Sequence, residues 1–246
     1  MRALAAQTRA EIYMTLRRGE TLLLTVGIPV VFLAFFASVH VVSTGTEHPV
    51  SFYAPGILAL AVMSTAMVSL GIATGFERGY GVLKRLGSTP LGRPRLLGAK
   101  VLTIVAVEVV QAAVLVPVAL GLGWTPAGGG DAGTAALSAV AVVLLGTVAF
   151  GGLGLFLAGR LRAEVNLAAA NGLYLVLLLL GGMVVPVAKL PGLLRAVADA
   201  LPAAALSGGL HAALGAGTAV SAHDWAVLGA WAVAAPVAAA LTFRWE

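Results

Sequence analysis

The chain contains no cysteine. That excludes a disulfide framework, a thiolate metal site and a thiol nucleophile, and leaves the redox compartment unmarked. Charge is also scarce: 10% of the 246 residues are Asp, Glu, Lys or Arg, while 60% are hydrophobic. Soluble domains carry about a quarter charged residues, so this composition, with a mean hydropathy of +1.00, excludes an ordinary soluble fold. No stretch matches G-x-x-x-x-G-K-[ST]; Gly92 to Lys100 lacks the adjacent Gly-Lys pair and a preceding strand. A nucleotide-binding loop is therefore not encoded here, and any ATP would be bound elsewhere. A net charge of +5 could suit nucleic acid. The basic residues sit at the ends of apolar segments instead of forming one polar surface, which argues against a nucleic-acid partner.

What the chain does contain is a series of apolar runs of the length a bilayer demands, about 20 residues each. They predict an all-α membrane protein with six transmembrane helices, at about 22–42, 53–75, 97–122, 135–158, 167–187 and 225–243. Residues 1–20 carry Arg2, Arg9, Arg17 and Arg18 beside Ala5, Ile12 and Leu16, the pattern of a helix lying along a lipid surface. Between the fifth and sixth spans, Leu190, Leu193, Leu194, Val197 and Leu201 keep helical spacing between Pro191 and Pro202. That piece is too short to cross and predicts an interfacial or re-entrant helix. The following Ala203–Ala222, mostly Ala and Gly with His211, is a poor candidate for insertion into lipid. In this arrangement thirteen Lys and Arg residues fall on one side and only Lys189 and Arg195 on the other. The positive-inside rule then puts both termini in the cytoplasm of a multi-pass plasma-membrane protein. Heavy use of Ala, Gly, Val, Leu and Arg with little Lys points to a bacterial source.

One long polar interruption stands out, Phe76 to Lys100. It holds six of the fifteen basic residues and a single acid, Glu77. Tyr80, Leu83 and Leu86 recur every three residues, and Gly87 with Pro90 closes the segment, which predicts a short helix with an apolar ridge. No other part of the sequence is obviously available to cover that ridge.

Glu77-Arg78, Gly81-Val82-Leu83-Lys84-Arg85-Leu86, Thr89-Pro90-Leu91-x-Arg93 and Gly98-x-Lys100 resemble the first cytoplasmic loop of ABC-2 type transporter permeases. Gly181-Gly182-Met183-Val184-Val185-Pro186, Leu190-Pro191 and Leu201-Pro202 resemble a second feature of that family nearer its C-terminus. Lys84 departs from the pattern, since many members carry an acid there. The resemblance implies one ABC-2 type transmembrane domain over 1–246, forming the membrane subunit of a drug-efflux-like exporter. It also implies a coupling helix between spans 2 and 3, made by Glu77, Arg78, Leu83, Lys84, Arg85, Leu86, Thr89 and Pro90. That helix would dock into a separate ATPase subunit, which binds the ATP and magnesium; no cofactor is implied for this chain. A second copy, or a homologous permease, would complete the substrate path.

Inside the spans, Glu108 is the only deeply placed carboxylate, with Gln111 one helical turn on. Such a group is costly in hydrocarbon and by default marks function. It could contact a cationic substrate, move a proton or simply bond a neighbouring helix. As a coupling site it would instead suit an ion- or proton-driven secondary transporter. A membrane assembly factor, holding a soluble protein by the basic loop, is a further alternative. His40, His48, His211 and His223 are spaced unlike any compact metal motif. Ser207 and His211 are four apart and could share a helix face, but no nucleophile-elbow pattern or orienting acid accompanies them.

Overall fold

The computed structural model describes residues 2–17, 19–39, 49–87, 93–126 and 132–244, and among these the chain is all-α, without a strand. Helix α1 (Arg2–Arg17) leads into α2 (Gly19–Ser38). Next, α3 (Pro49–Met63) and α4 (Leu70–Gly79) run on through one π-helical stretch, Ser64–Ser69, as a single rod. The short α5 (Val82–Gly87) precedes α6 (Arg93–Gly121), α7 (Ala132–Arg160) and α8 (Ala163–Leu180). A 3₁₀ turn at Val187–Lys189, α9 (Gly192–Asp199) and α10 (Pro202–Leu210) follow. A second π-helical stretch, His211–Ala216, extends α10 before α11 (Ala222–Thr242).

Among the described residues, five helices are long and apolar enough to cross a bilayer: Pro49–Gly79, Leu96–Gly121, Ala132–Arg160, Ala163–Leu180 and Ala222–Thr242. They match the second, third, fourth, fifth and sixth expected spans. The first falls on α2, whose apolar part, Leu23–Ser38, is shorter than the others; residues 40–42 of that expected span lie outside the described residues. The fifth ends seven residues before its expected limit of 187, because Gly182 turns the chain with φ +70°. Its neighbour Met183 is tucked fully inside.

Pro191 and Pro202 each begin a helix, and the pair α9 and Pro202–Ala216 meets at a bend of 82°. The bend falls where the interfacial or re-entrant helix is expected, and its geometry fits a broken span as well as a re-entrant loop. The expectation for its second arm needs correction, however. Far from being excluded, Ala203, Leu206 and Leu210 are wholly buried within the bundle. They pack with Met63, Met67 and Phe150. Transfer into lipid does not decide such a segment when protein surrounds it, and small side chains let its backbone come close to α3 and α7. Its corner is held by α11: the His223 ring nitrogen lies 2.9 Å from the Asp199 carbonyl, and Trp231 Nε1 donates to the Ala200 carbonyl at 2.9 Å. Ser221 caps α11 by accepting from the Asp224 amide at 3.0 Å.

The inner rod is α3–α4, with 67% of its most apolar stretch buried against 17% for α11. Helix α7 lies between them, and glycine makes the approach possible. A Cβ built at Gly152 would stand 2.5 Å from the Pro236 nitrogen, and one at Gly154 would stand 2.5 Å from the Met67 carbonyl oxygen. Both neighbours are backbone atoms that cannot swing aside. We predict that Gly152→Ala and Gly154→Ala each lower stability by about 1–3 kcal/mol, the usual range for overpacking. A Cβ at Gly172 meets nothing within 4 Å, so Gly172→Ala should leave the unfolding temperature of the detergent-purified protein unchanged.

Candidate functional site

Helix α4 stops at Gly79, and Gly81, with φ +70°, reverses the chain into α5. The reversal carries Leu83 inward, where it is fully buried against Leu96 with Phe243 alongside. The expectation that the Leu83 ridge lacks an internal partner is therefore corrected: α6 and the end of α11 cover it. Glu77 and Arg78 also turn toward the bundle. The Lys100 ammonium, 5% exposed, lies 2.6 Å from Glu77 and 3.7 Å from Glu11 of α1. Arg78 donates from Nη1 to the Gly159 carbonyl at 2.6 Å and from Nη2 to the Leu161 carbonyl at 2.5 Å. A longer bond of 3.5 Å reaches the Arg244 carbonyl. One guanidinium thus satisfies the open carbonyls where α7 ends, a position that favours a cation.

What faces outward is Tyr80, 71% exposed, with Lys84 and Arg85 also at the surface. Leu86 lies in α5 with its side chain outside the described set, and Thr89 and Pro90 lie outside the described residues. The eight residues of the expected coupling helix therefore do not act alike: Glu77, Arg78 and Leu83 fasten the segment, while Tyr80 and the two basic side chains present it.

Midway along α6, Glu108 and Gln111 are both buried, but they do not bond each other. Glu108 Oε2 is 2.6 Å from Thr147 Oγ1 on α7. Gln111 donates to the Thr25 carbonyl of α2 at 2.9 Å and accepts from Thr65 Oγ1 in the π-helical stretch at 3.1 Å. Both line a cavity of about 320 Å³ whose remaining lining residues are apolar. A second buried amide, Asn166 of α8, donates to the Gly71 carbonyl of α4 at 2.8 Å.

Ser207 and His211 do meet, with Oγ and Nδ1 3.2 Å apart. The ring's Nε2 lies 3.0 Å from the Phe52 carbonyl, so a backbone carbonyl occupies the place an orienting acid would need. Ser207 is 2% exposed, and the cluster ties α10 to the first turns of α3. Among the described residues, no three His, Cys, Asp or Glu side chains group as metal ligands would.

Sequence reasoning missed the partners more than the polar residues. Thr147, Thr65 and Thr25 carry no signal in an apolar run, because threonine there most often bonds its own helix. Lys100 was legible as a basic loop residue, yet it lies inside α6; its position four residues into an apolar pattern was the available hint.

The family model of the ABC-2 type transporter matches residues 2–214. No curated protein matches the chain.

Removing Lys100 strands two carboxylates at the helix junction. Losing one member of a buried pair typically costs about 3–5 kcal/mol, and less here because Glu77 is 32% exposed. We expect Lys100→Met to lower the unfolding temperature sharply, and Glu77→Gln in the same chain to restore part of the loss. Equal destabilisation by single and double variants would reject the linkage. Arg78→Lys, with one compact ammonium, should fail to cover both carbonyls and destabilise by about 1–3 kcal/mol.

Proposed function

The chain belongs to the ABC-2 type transporter family and is the transmembrane permease of an ABC transporter; we propose that it works as an exporter, energised by a separate ATPase that docks on the turn and helix from Tyr80 to Gly87. Two such permeases, identical or homologous, enclose the substrate path. The basic end, with α1 and the ends of α4, α7 and α11, faces the cytoplasm.

The observation that carries this reading is how firmly α5 and the end of α4 just before it are wired inward. Leu83 packs on Leu96 and beside Phe243, Glu77 reaches α6 and, through Lys100, α1, and Arg78 reaches the ends of α7 and α11. A push on α5 is therefore delivered to five helices as a displacement of packed rods, the form that coupled motions take in rigid interiors. Tyr80 supplies the exposed aromatic anchor that protein interfaces favour, and Lys84 and Arg85 supply charge for steering. Both termini on the cytoplasmic side follow from the thirteen-to-two distribution of basic residues.

With purified ATPase and the permease in nanodiscs, Tyr80→Ala should weaken association about thirtyfold, the cost of truncating an anchor of about 2 kcal/mol. The unfolding temperature should be unchanged. Leu83→Ala should do the reverse, costing about 2–5 kcal/mol of stability as a core truncation. Wild-type association in Tyr80→Ala would remove this surface from the docking interface. Because the chain lacks cysteine, single substitutions report sidedness cleanly. Thr218→Cys should react with an impermeant maleimide on intact cells, and Lys84→Cys only after permeabilisation.

A further inference from the structure

The cavity between α3, α6, α7 and the π-helical end of α10 is about 320 Å³, within the range of small-molecule sites. Its walls are apolar side chains such as Leu58, Val105, Val143 and Leu214, and among the described residues only Glu108 and Gln111 line it with polar groups. Gln111 is engaged at both ends, by Thr25 and Thr65. Glu108 is engaged at one. Its Oε2 meets the Thr147 hydroxyl, while Oε1 is buried with no hydrogen-bond partner, in a residue only 6% exposed. Thr147 Oγ1 has a second acceptor, the Val143 carbonyl at 2.9 Å. With Glu108 ionised and accepting from Thr147, or protonated on Oε2 and donating to it, Oε1 is an acceptor without a donor.

A buried acceptor without a donor costs about 1–3 kcal/mol, and Glu108 lines the cavity, so a small turn of its carboxyl brings Oε1 to that space. The opening is apolar as well: Val109, Val140 and Leu144 line the cavity yet are 63%, 55% and 45% exposed. Access is thus from the hydrocarbon at the side of the bundle, not from water. We propose that this cavity is a binding site for lipophilic amines entering from the bilayer, the ammonium donating to Glu108 Oε1 and the apolar body filling the space against α3 and α7. An amine suits the site better than an alcohol, because a charge-assisted bond is roughly twice as strong as a neutral one. Amine and carboxyl together hold the single shared proton, so the complex forms without an external one. That the bound amine is cargo rests on the permease reading above; the site itself rests on this geometry.

The test uses the permease alone in nanodiscs, without any ATPase, so its failure would leave the docking reading standing. A dansyl-tagged hexylamine is titrated by fluorescence, with empty nanodiscs subtracted, and displaced by octylamine or by methyl heptyl ether. Saturable octylamine binding is expected. Glu108→Gln, which keeps an oxygen for Thr147, should weaken the amine at least tenfold and leave the ether unchanged. Glu108→Asp, which withdraws Oε1 by one methylene, should weaken the amine too and serves if the first variant fails to fold. Ala112→Phe, filling the cavity, should abolish both ligands. Absence of saturable octylamine binding to the wild type, or equal amine affinity in the folded Glu108 variants, would overturn the site.

Discussion

The arrangement depends first on how closely α7 can be approached. In a bilayer, helices gain little from leaving the surrounding hydrocarbon, so association rests on close packing. At Gly152 and Gly154 the neighbours of α7 are backbone atoms, of α11 on one side and of the π-helical stretch on the other. Interhelical hydrogen bonds in membranes average only roughly 0.6 kcal/mol. The bonds of Gln111, Thr147 and Asn166 therefore select register among rods whose contact is set by glycine. This division also explains why Pro202–Ala216, poor in large side chains, can occupy the interior: Ala and Gly suit a place where backbones nearly touch.

Helix α6 joins the two regions proposed as functional. Lys100, near its start, closes the ion pairs with Glu11 and Glu77 behind the segment proposed for docking. Glu108, eight residues later and about 12 Å along the axis, lines the cavity. A displacement of α5 that carries α6 with it must act on the wall that holds Glu108, since the two sites share one rigid element. The cavity's other walls, α3 and α7, receive the same motion through Arg78 and α4. The proposed docking surface and the cavity are thus linked through α6.

Much of the fold was legible because the bilayer imposes one length on every span. The apolar runs gave five crossing helices close to their limits, and the basic segment gave α5. Fasteners were not legible. Arg78 and Glu77 read as surface charge because nothing in sequence reveals that two carbonyls at the end of α7, or a lysine in α6, lie opposite them. Leu83 read as an exposed ridge because its cover, Leu96 and Phe243, is split between distant parts of the chain. Glu108 announced itself by cost alone. Its partner could not be read, since Gln111 at i+3 was the nearest choice in sequence while Thr147 was the nearest in space. Ala203–Ala222 was misjudged for a related reason: hydropathy measures transfer to lipid, and this segment meets protein.

The π-helical stretch at Ser64–Ser69 carries a consequence for how α3 and α4 are indexed to one another. A wide turn accommodates one residue more than an α-turn, and each residue of helix is worth about 100° of rotation. The two halves of the rod are therefore out of phase by about that angle. The upper half aims Leu58, Ala61 and Val62 at the cavity, while the lower half aims Gly71 at α7 and at Asn166 of α8. Without the extra residue a single face would have to serve both sets of neighbours. The inserted residue works as a phase shifter: it lets one continuous span address the cavity at one depth and a glycine contact at another, and it makes length within Ser64–Ser69 as constrained as side-chain identity.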